Sequence, residues 1–343
     1  MPLGTAISLH ASILLESMSL LGQTRRLDLL TVASDLPQRT DIPEGRREVR
    51  EVPTGDIVLN SGRLSPTASM LGFLPTRKAS MTTHEISFND GAAYERMMGV
   101  WSRLAGEVFL DWLAPASDLR WVDVGCGNGA FTELLFDRCA PSAVEGVDPS
   151  EGQLDFARKR LAGRLARFHR GDALQLPLSD GDFDAAVMAL VIFFVPDPAK
   201  GVAEMVRVVK PGGLVAAYAW DMLGGGFTQE PIQAEMRAIG LKPTLPPRAE
   251  ASRLEALRAL WANASLEDVE TLEIPVSRTF VNFEEYWSTS LSGTTGKLVA
   301  ARPPAEAEEL KSRVRGRLPA DADGRVICEA RANAVQGRVQ RNT

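Results

Sequence analysis

Between residues 90 and 220 the apolar positions alternate between two rhythms. From Asp90 to Leu113, Tyr94, Met97, Met98, Trp101, Leu104, Val108, Phe109 and Trp112 recur at steps of three and four. That is the spacing of one buried helix face, and Asn89 or Asp90 can cap it. An apolar run from Trp121 to Val124, broken only by Asp123, then meets Gly125, Gly127 and Gly129 before a helical pattern resumes over Ala130 to Asp137. The same order repeats. A short strand from Ala143 to Val147 closes on Asp148-Pro149-Ser150, and EGQLDFARKRLAG follows as a helix with Ser150 as its N-cap. A third strand, Ala166 to His169, closes on Gly171-Asp172-Ala173. After a turn at Ser179 to Asp182, the wholly apolar run from Ala185 to about Leu190 has the character of a central parallel strand buried on both faces. A helix from Pro198 to Val209, the stop Lys210-Pro211-Gly212-Gly213 and a strand from Leu214 to Trp220 complete the series.

Strands alternating with helices across short loops predict a doubly wound parallel sheet. In such sheets ligands sit outside the carboxyl ends of the strands, where the strand order reverses. Gly125 to Gly129, Asp148, Asp172 and Leu190 onward all fall at those ends. The flanking thirds are less regular. Residues 1–80 scatter Pro, Gly, Ser, Thr and charges without sustained periodicity, which predicts no packed core there. Two readings fit: a disordered extension, or an over-extended gene start with Met81 as the natural first residue. Residues 81–343 then form the functional domain, with its core at 90–220. Residues 221–248 and 282–323 read as lid-like insertions, separated by a helix at Ala251 to Ala264 and a strand at about Val269 to Phe280. A helix at Ala305 to Leu318 and a last strand at Arg325 to Ala332 follow.

Composition changes this picture only by exclusion. The 343 residues are 45% hydrophobic and 24% charged, as in an ordinary globular protein. A net charge of −6, with no dense basic cluster carrying aromatics, argues against nucleic acid as a generic partner. Cys126, Cys139 and Cys328 are far apart and lack metal-ligand spacing, so no metal site is expected and a reducing, cytoplasmic location is. The apolar-looking run Ile7 to Leu21 contains His10, Glu16 and several serines, too polar for a membrane span.

The glycine turn has a direct chemical meaning. Glycine admits positive φ and lets backbone approach a ligand, while the following helix points its free N–H groups at the same spot. A cofactor with a charged amino-acid end, a ribose and an adenine satisfies the whole set. Its amino-acid end lies against Gly125, Gly127, Asn128 and Gly129. Asp148 can accept from the ribose hydroxyls, by the logic of the acidic residue in dinucleotide folds, and Asp172 and Ala173 can meet the adenine. Asp148 and Asp172 also suit ordinary helix caps or turns, and Asp123 suits an anchor that orders the glycine loop. Gly125-x-Gly127-x-x-Ala130 fits the dinucleotide fingerprint loosely, so an NAD(P)-dependent oxidoreductase is a competing reading. A non-catalytic adenosine-cofactor-binding protein is another. The aromatic stripe at 94–112 is core packing, or places Tyr94, Met98 and Arg103 as a cover over the pocket.

VDVGCGNG, GVDPS, GDALQLPLSDGDFDAAV and RVVKPGG, in that order over about residues 90–220, resemble the class I S-adenosylmethionine-dependent methyltransferases. The likeness is to the small-molecule branch that includes the ubiquinone and menaquinone biosynthesis C-methyltransferases. The resemblance implies a Rossmann-like doubly wound seven-stranded sheet of order 3-2-1-4-5-7-6, with strand 7 antiparallel, and S-adenosylmethionine as cofactor. It implies that Gly125, Gly127 and Gly129 line the methionine end, that Asp148 holds the ribose, and that Asp172 and Ala173 hold the adenine, with Leu190 and Val191 flanking the cofactor. Asn128 at the helix start, Pro149 and Ser150 beside Asp148, and Tyr94 in the helical stripe join the expected cofactor site from their positions in the sequence. Beyond the fourth strand the sequence reads ALVIFFVPDP, without the polar or acidic residue that DNA-amine methyltransferases place there, so DNA is not the expected acceptor. A small lipophilic or aromatic acceptor is, given Phe227, Ile232, Trp287 and Leu291 in the insertions. Methyl transfer by in-line displacement asks mainly for proximity, orientation and a dry pocket. His169, Tyr94 and Asp221 are the nominal bases if the acceptor must lose a proton.

Overall fold

The strand that feeds the glycine turn, β1 (Arg120–Val124), is buried over its last four residues because neighbours cover both its edges and both its faces. It pairs in parallel with β2 (Ala143–Asp148) on one side and β4 (Phe183–Ala189) on the other. The computed structural model describes residues 98–341 except Ser292, so the expectations for residues 1–80 and for Tyr94 lie outside the described residues. Beyond β2 lies β3 (Ala166–Arg170), and beyond β4 lies β5 (Val209–Trp220), both parallel. The last two strands, β6 (Glu267–Phe280) and β7 (Val326–Arg338), extend the sheet, with β7 antiparallel to both β5 and β6. The order is β3-β2-β1-β4-β5-β7-β6, the order the resemblance implies.

Helices cover the two faces. Helix α1 (Val100–Leu113) and α2 (Ala130–Cys139) meet on the face of Tyr218, whose ring lies 4.6 Å from Phe109 of α1 and 5.7 Å from Phe131 of α2. Helix α3 (Glu151–Arg160) follows β2, N-capped by Ser150. Helix α4 (Pro198–Val208) is capped by Asp197, whose carboxylate accepts from the Lys200 N–H at 3.1 Å, with Pro198 preset for the first turn. Helix α5 (Glu230–Ala238) opens the segment after β5, and α6 (Leu254–Asn263) precedes β6. The Trp261 indole of α6 donates to the Val215 carbonyl at 2.9 Å. A Cβ on Gly337, which pairs with Val215, would come within 3.0 Å of that same indole. Since side chains alternate along a strand, α6 covers the face opposite Tyr218.

The C-terminal third holds more regular structure than the sequence pattern suggests. Strand β7 continues to Arg338, six residues past the expected end, because its inward positions are Ala330, Ala332 and Ala334, too small to register as an apolar rhythm. Residues 282–323 contain α7 (Phe283–Ser290), α8 (Gly293–Ala300) and α9 (Pro304–Arg317). The first of these starts because the Asn282 side chain accepts from the Glu285 N–H at 2.9 Å.

The Trp261 contact yields a test of the fold. Trp261→Phe removes one buried hydrogen bond and part of the ring, and should cost about 2–4 kcal/mol in urea unfolding. An unchanged midpoint would show that α6 does not dock through this residue.

Candidate functional site

The turn after β1 folds back over the end of β2. The Gly125 and Cys126 N–H groups both donate to the Val147 carbonyl, at 2.7 and 3.2 Å, and the Gly127 N–H donates to Asp148 Oδ2 at 3.0 Å. The other carboxylate oxygen, Oδ1, accepts from the Ser150 N–H at 2.8 Å. Asp148 thereby joins the loop, the end of β2 and the start of α3. Burial pushes its carboxyl above the usual range, and the two N–H groups partly offset that. Gly125 is required by what surrounds it, and Gly127 only by its own backbone conformation. Gly125 has φ 76°, and a Cβ there would fall 2.5 Å from Val191 Cγ1. Gly127 has φ 53°, and a Cβ there would meet nothing within 4 Å among the described residues. Gly129 is also at positive φ and leads directly into α2. Asn128 is buried, and its Oδ1 accepts from the Ala130 N–H and from the Arg160 guanidinium, each at 3.2 Å.

Asp123 sits beneath this loop with no exposed surface. Its Oδ2 accepts from the Thr132 hydroxyl of α2 at 2.7 Å, while Oδ1 is buried and meets no hydrogen-bond donor among the described residues. The acid therefore anchors α2 rather than the loop backbone, which Asp148 and Val147 hold. Burial raises its pKa to about 7, with the Thr132 hydrogen bond pulling it down and the Asp148 charge adding to the rise. Buried Cys126 is likewise pushed well up, by burial and then by the fields of Asp123 and Asp148, so its thiol stays protonated.

The remaining expected residues occupy the adjoining strand ends. Pro149 is exposed between Asp148 and Ser150. Asp172 is exposed after β3, where its Oδ1 accepts from the Leu174 N–H at 2.9 Å and its carbonyl from the Gln175 N–H at 3.0 Å. Ala173 is half-buried beside it. Leu190, just past β4, takes φ 62°, a left-handed conformation costly for a side chain with a Cβ. A hydrogen bond from its N–H to the Tyr218 carbonyl at 2.8 Å holds that turn, which brings Val191 under Gly125.

Neither nominal base among the described residues is free. His169 pairs in register with Val147, so it shares the face of Glu145 rather than that of Asp148. Its Nε2 lies 2.8 Å from Glu145 Oε2. Asp221 is buried, accepting from the Gly224 N–H at 2.8 Å and from Arg331 Nη2 at 2.5 Å. Sequence reasoning did not single out the unpaired Asp123 oxygen, although an acid inside an otherwise apolar strand is the signal for it.

S-adenosylmethionine carries an ammonium and a carboxylate at its amino-acid end, a sulfonium, and hydroxyls on its ribose. The expected site offers a buried carboxyl oxygen without a donor among the described residues, a glycine turn at positive φ, and two acids at the next strand ends. Asp123 also makes a pH prediction for the protein without ligand. A folded-state pKa near 7, above the ordinary Asp value, means that this group's stabilisation is complete below about pH 4 and is lost as pH rises through 7. Asp123→Asn should gain stability relative to the wild type between pH 5 and 8, by a few kcal/mol at most since one pKa unit is about 1.4 kcal/mol. Parallel thermal-melting profiles for the two proteins would contradict the burial argument.

Residues 122–217 match a family described as a methyltransferase domain. A demethylmenaquinone methyltransferase of Clavibacter sepedonicus is 36% identical over 166 residues, 47% of this chain and 64% of that protein. One of Desulfitobacterium hafniense is 39% identical over 104 residues, 29% of this chain and 41% of that protein. An uncharacterized methyltransferase of Mycobacterium bovis is 38% identical over 104 residues, 30% of this chain and 41% of that one. The chain thus spans less than two thirds of the length of each of these relatives. With the motifs in order and the sheet in the order β3-β2-β1-β4-β5-β7-β6, the chain carries a region that matches a methyltransferase domain and resembles the small-molecule branch of the class I S-adenosylmethionine-dependent methyltransferases.

Proposed function

We propose that this chain binds S-adenosylmethionine at the carboxyl edge of its sheet and transfers the methyl group to a small lipophilic or aromatic acceptor. The observation that carries the reading is the Asp123 Oδ1, a buried carboxyl oxygen without a hydrogen-bond partner among the described residues, next to the glycine turn, which a cationic ligand end would satisfy. Gly125, Gly127, Asn128 and Gly129 line the methionine end. Asp148 keeps a second lone pair on each oxygen for the ribose hydroxyls, with Pro149 and Ser150 bordering the same side. Asp172 Oδ2 and the Ala173 N–H serve the adenine, and Leu190 and Val191 form the apolar wall beside them. Tyr94, outside the described residues, completes the cover.

When bound, the cofactor supplies a sulfonium-borne methyl whose leaving group needs no protonation. The protein's part is to orient the partners and exclude water. Residues 221–248 and 282–323 serve this as one covering unit. Glu235 of α5 accepts from Arg313, at 2.7 Å, and from Arg317, both on α9. Glu284 of α7 pairs with Lys311 at 2.7 Å and with Arg315, also on α9. The apolar Leu190–Val195 segment, with no acid or amide, supports a small-molecule acceptor over DNA. Three free, buried thiols are consistent with a reducing, cytoplasmic location. Among the described residues, no helix is long and apolar enough to cross a membrane.

S-adenosylhomocysteine should raise the melting temperature while NAD(P) does not, and the reverse would overturn the reading. Calorimetry on Asp148→Asn should show affinity for S-adenosylhomocysteine weakened about tenfold or more, the size of one charge-assisted hydrogen bond, with the circular dichroism spectrum retained. Wild-type affinity in that variant would remove Asp148 from the site.

A further inference from the structure

Strands β6 and β7 outrun the rest of the sheet. Pairing between β5 and β7 ends at Trp220↔Ala332, whereas β6 and β7 continue together to Phe280↔Val326. This projecting ribbon rises at the carboxyl end of β5, the end at which the glycine turn lies. Its Ala330, Cys328 and Val326 continue the face of Ala332, and so of Trp220 and Tyr218, the face covered by α1 and α2. Arg278 is opposite Cys328 on that face.

Arg278 is half-buried with its guanidinium 4.5 Å over the Phe280 ring, and its Nη1 is buried without a hydrogen-bond partner. It forms no ion pair among the described residues, although Arg302 and Arg331, which also bury a guanidinium nitrogen, each reach a carboxylate. Burial pushes its pKa down from the ordinary value, against the fields of Glu285 and Cys328. Tyr286 lies edge-on to the same Phe280 ring, centroids 5.3 Å apart. It is fully buried, and its hydroxyl has the Ser290 side chain as a hydrogen-bonding neighbour that lies outside regular hydrogen-bond geometry. Trp101 of α1 closes the cluster at 6.4 Å from Phe280. Met98 and Cys328 are joined through Thr228, whose hydroxyl donates to the Met98 sulfur at 3.5 Å and whose carbonyl accepts from the Cys328 thiol at 3.9 Å.

A cation without an ion pair among the described residues and a phenol with only the Ser290 contact thus share one aromatic neighbour at the carboxyl end of the sheet, on the face covered by α1 and α2. Uncompensated buried donors are costly and call for an acceptor atom. We propose that Arg278 and Tyr286 recognise a carboxylate on a planar aromatic methyl acceptor. The inference rests on the methyltransferase reading and narrows its acceptor class. A guanidinium donates in a planar fork that matches a carboxylate, and the walls of Trp101 and Phe280 suit the ring that bears it.

The test uses 1-hydroxy-2-naphthoate and its neutral methyl ester as probes, titrated by calorimetry into the full chain saturated with S-adenosylhomocysteine. The acid should bind about tenfold or more tightly than the ester, the size of one charge-assisted hydrogen bond. Arg278→Met should abolish that preference and leave ester and S-adenosylhomocysteine affinities unchanged. Tyr286→Phe should weaken the acid several-fold, and Arg278→Lys should keep part of the preference. These two variants conserve packing and carry the test if Arg278→Met melts early. Equal wild-type affinity for acid and ester, no binding of the acid, or equal weakening of both probes in the variants overturns the proposal. Failure of the wild type to bind S-adenosylhomocysteine instead overturns the methyltransferase reading on which it rests.

Discussion

The site depends on one carboxylate that serves two backbone segments at once. Asp148 takes the Gly127 N–H on one oxygen and the Ser150 N–H on the other, so the turn after β1 and the start of α3 are fixed by a single side chain. Those N–H groups belong to tight turns where helical or sheet partners are absent, and a carboxylate satisfies both with charge-assisted bonds. The positive φ values of the loop glycines and the left-handed Leu190 follow from the same constraint: backbone must fold flat over the strand ends. Val191 then packs where a side chain on Gly125 would otherwise lie.

The electrostatic consequence is a site built with more negative charge than the protein itself neutralises. Asp148 raises the cost of ionising Asp123, both acids raise that of their neighbour Cys126, and no described lysine or arginine pairs with either acid. A protein selected for stability alone would replace Asp123 by an apolar residue. Retaining an acid there makes physical sense if a cationic ligand end completes the pair. Binding energy would then come from relieving an existing penalty as well as from new contacts. The ribbon of β6 and β7 carries the opposite imbalance, with Arg278 forming no ion pair among the described residues and its Nη1 without a hydrogen-bond partner there.

Legibility from sequence followed periodicity. The parallel core was readable because β1, β2 and β4 are apolar runs bounded by Gly, Asp and Pro, and because Ser150 and Asp197 cap their helices by local hydrogen bonds. The antiparallel edge was less so. The inward face of β7 is mostly alanine and cysteine, and it is ordered by partners distant in sequence, as Asn333 is by the Ser252 carbonyl at 2.8 Å. The glycines and acids at the strand ends could be found by spacing. What spacing could not reveal was that Asp123 leaves one oxygen unpaired, that His169 points to the wrong face, or that Arg278 and Tyr286 converge on Phe280. Those facts arise from which elements pack together, and a one-dimensional pattern carries no such information.

The central claim is that the glycine turn, Asp123, Asp148 and Asp172 form one cradle for an adenosine-bearing cation. A crystal structure of the protein grown with S-adenosylmethionine tests it most directly. The account predicts ligand density running along the carboxyl edge from Gly127 past Asp148 to Ala173, with its charged end over Asp123. Density elsewhere, or an empty edge at saturating ligand, would contradict it.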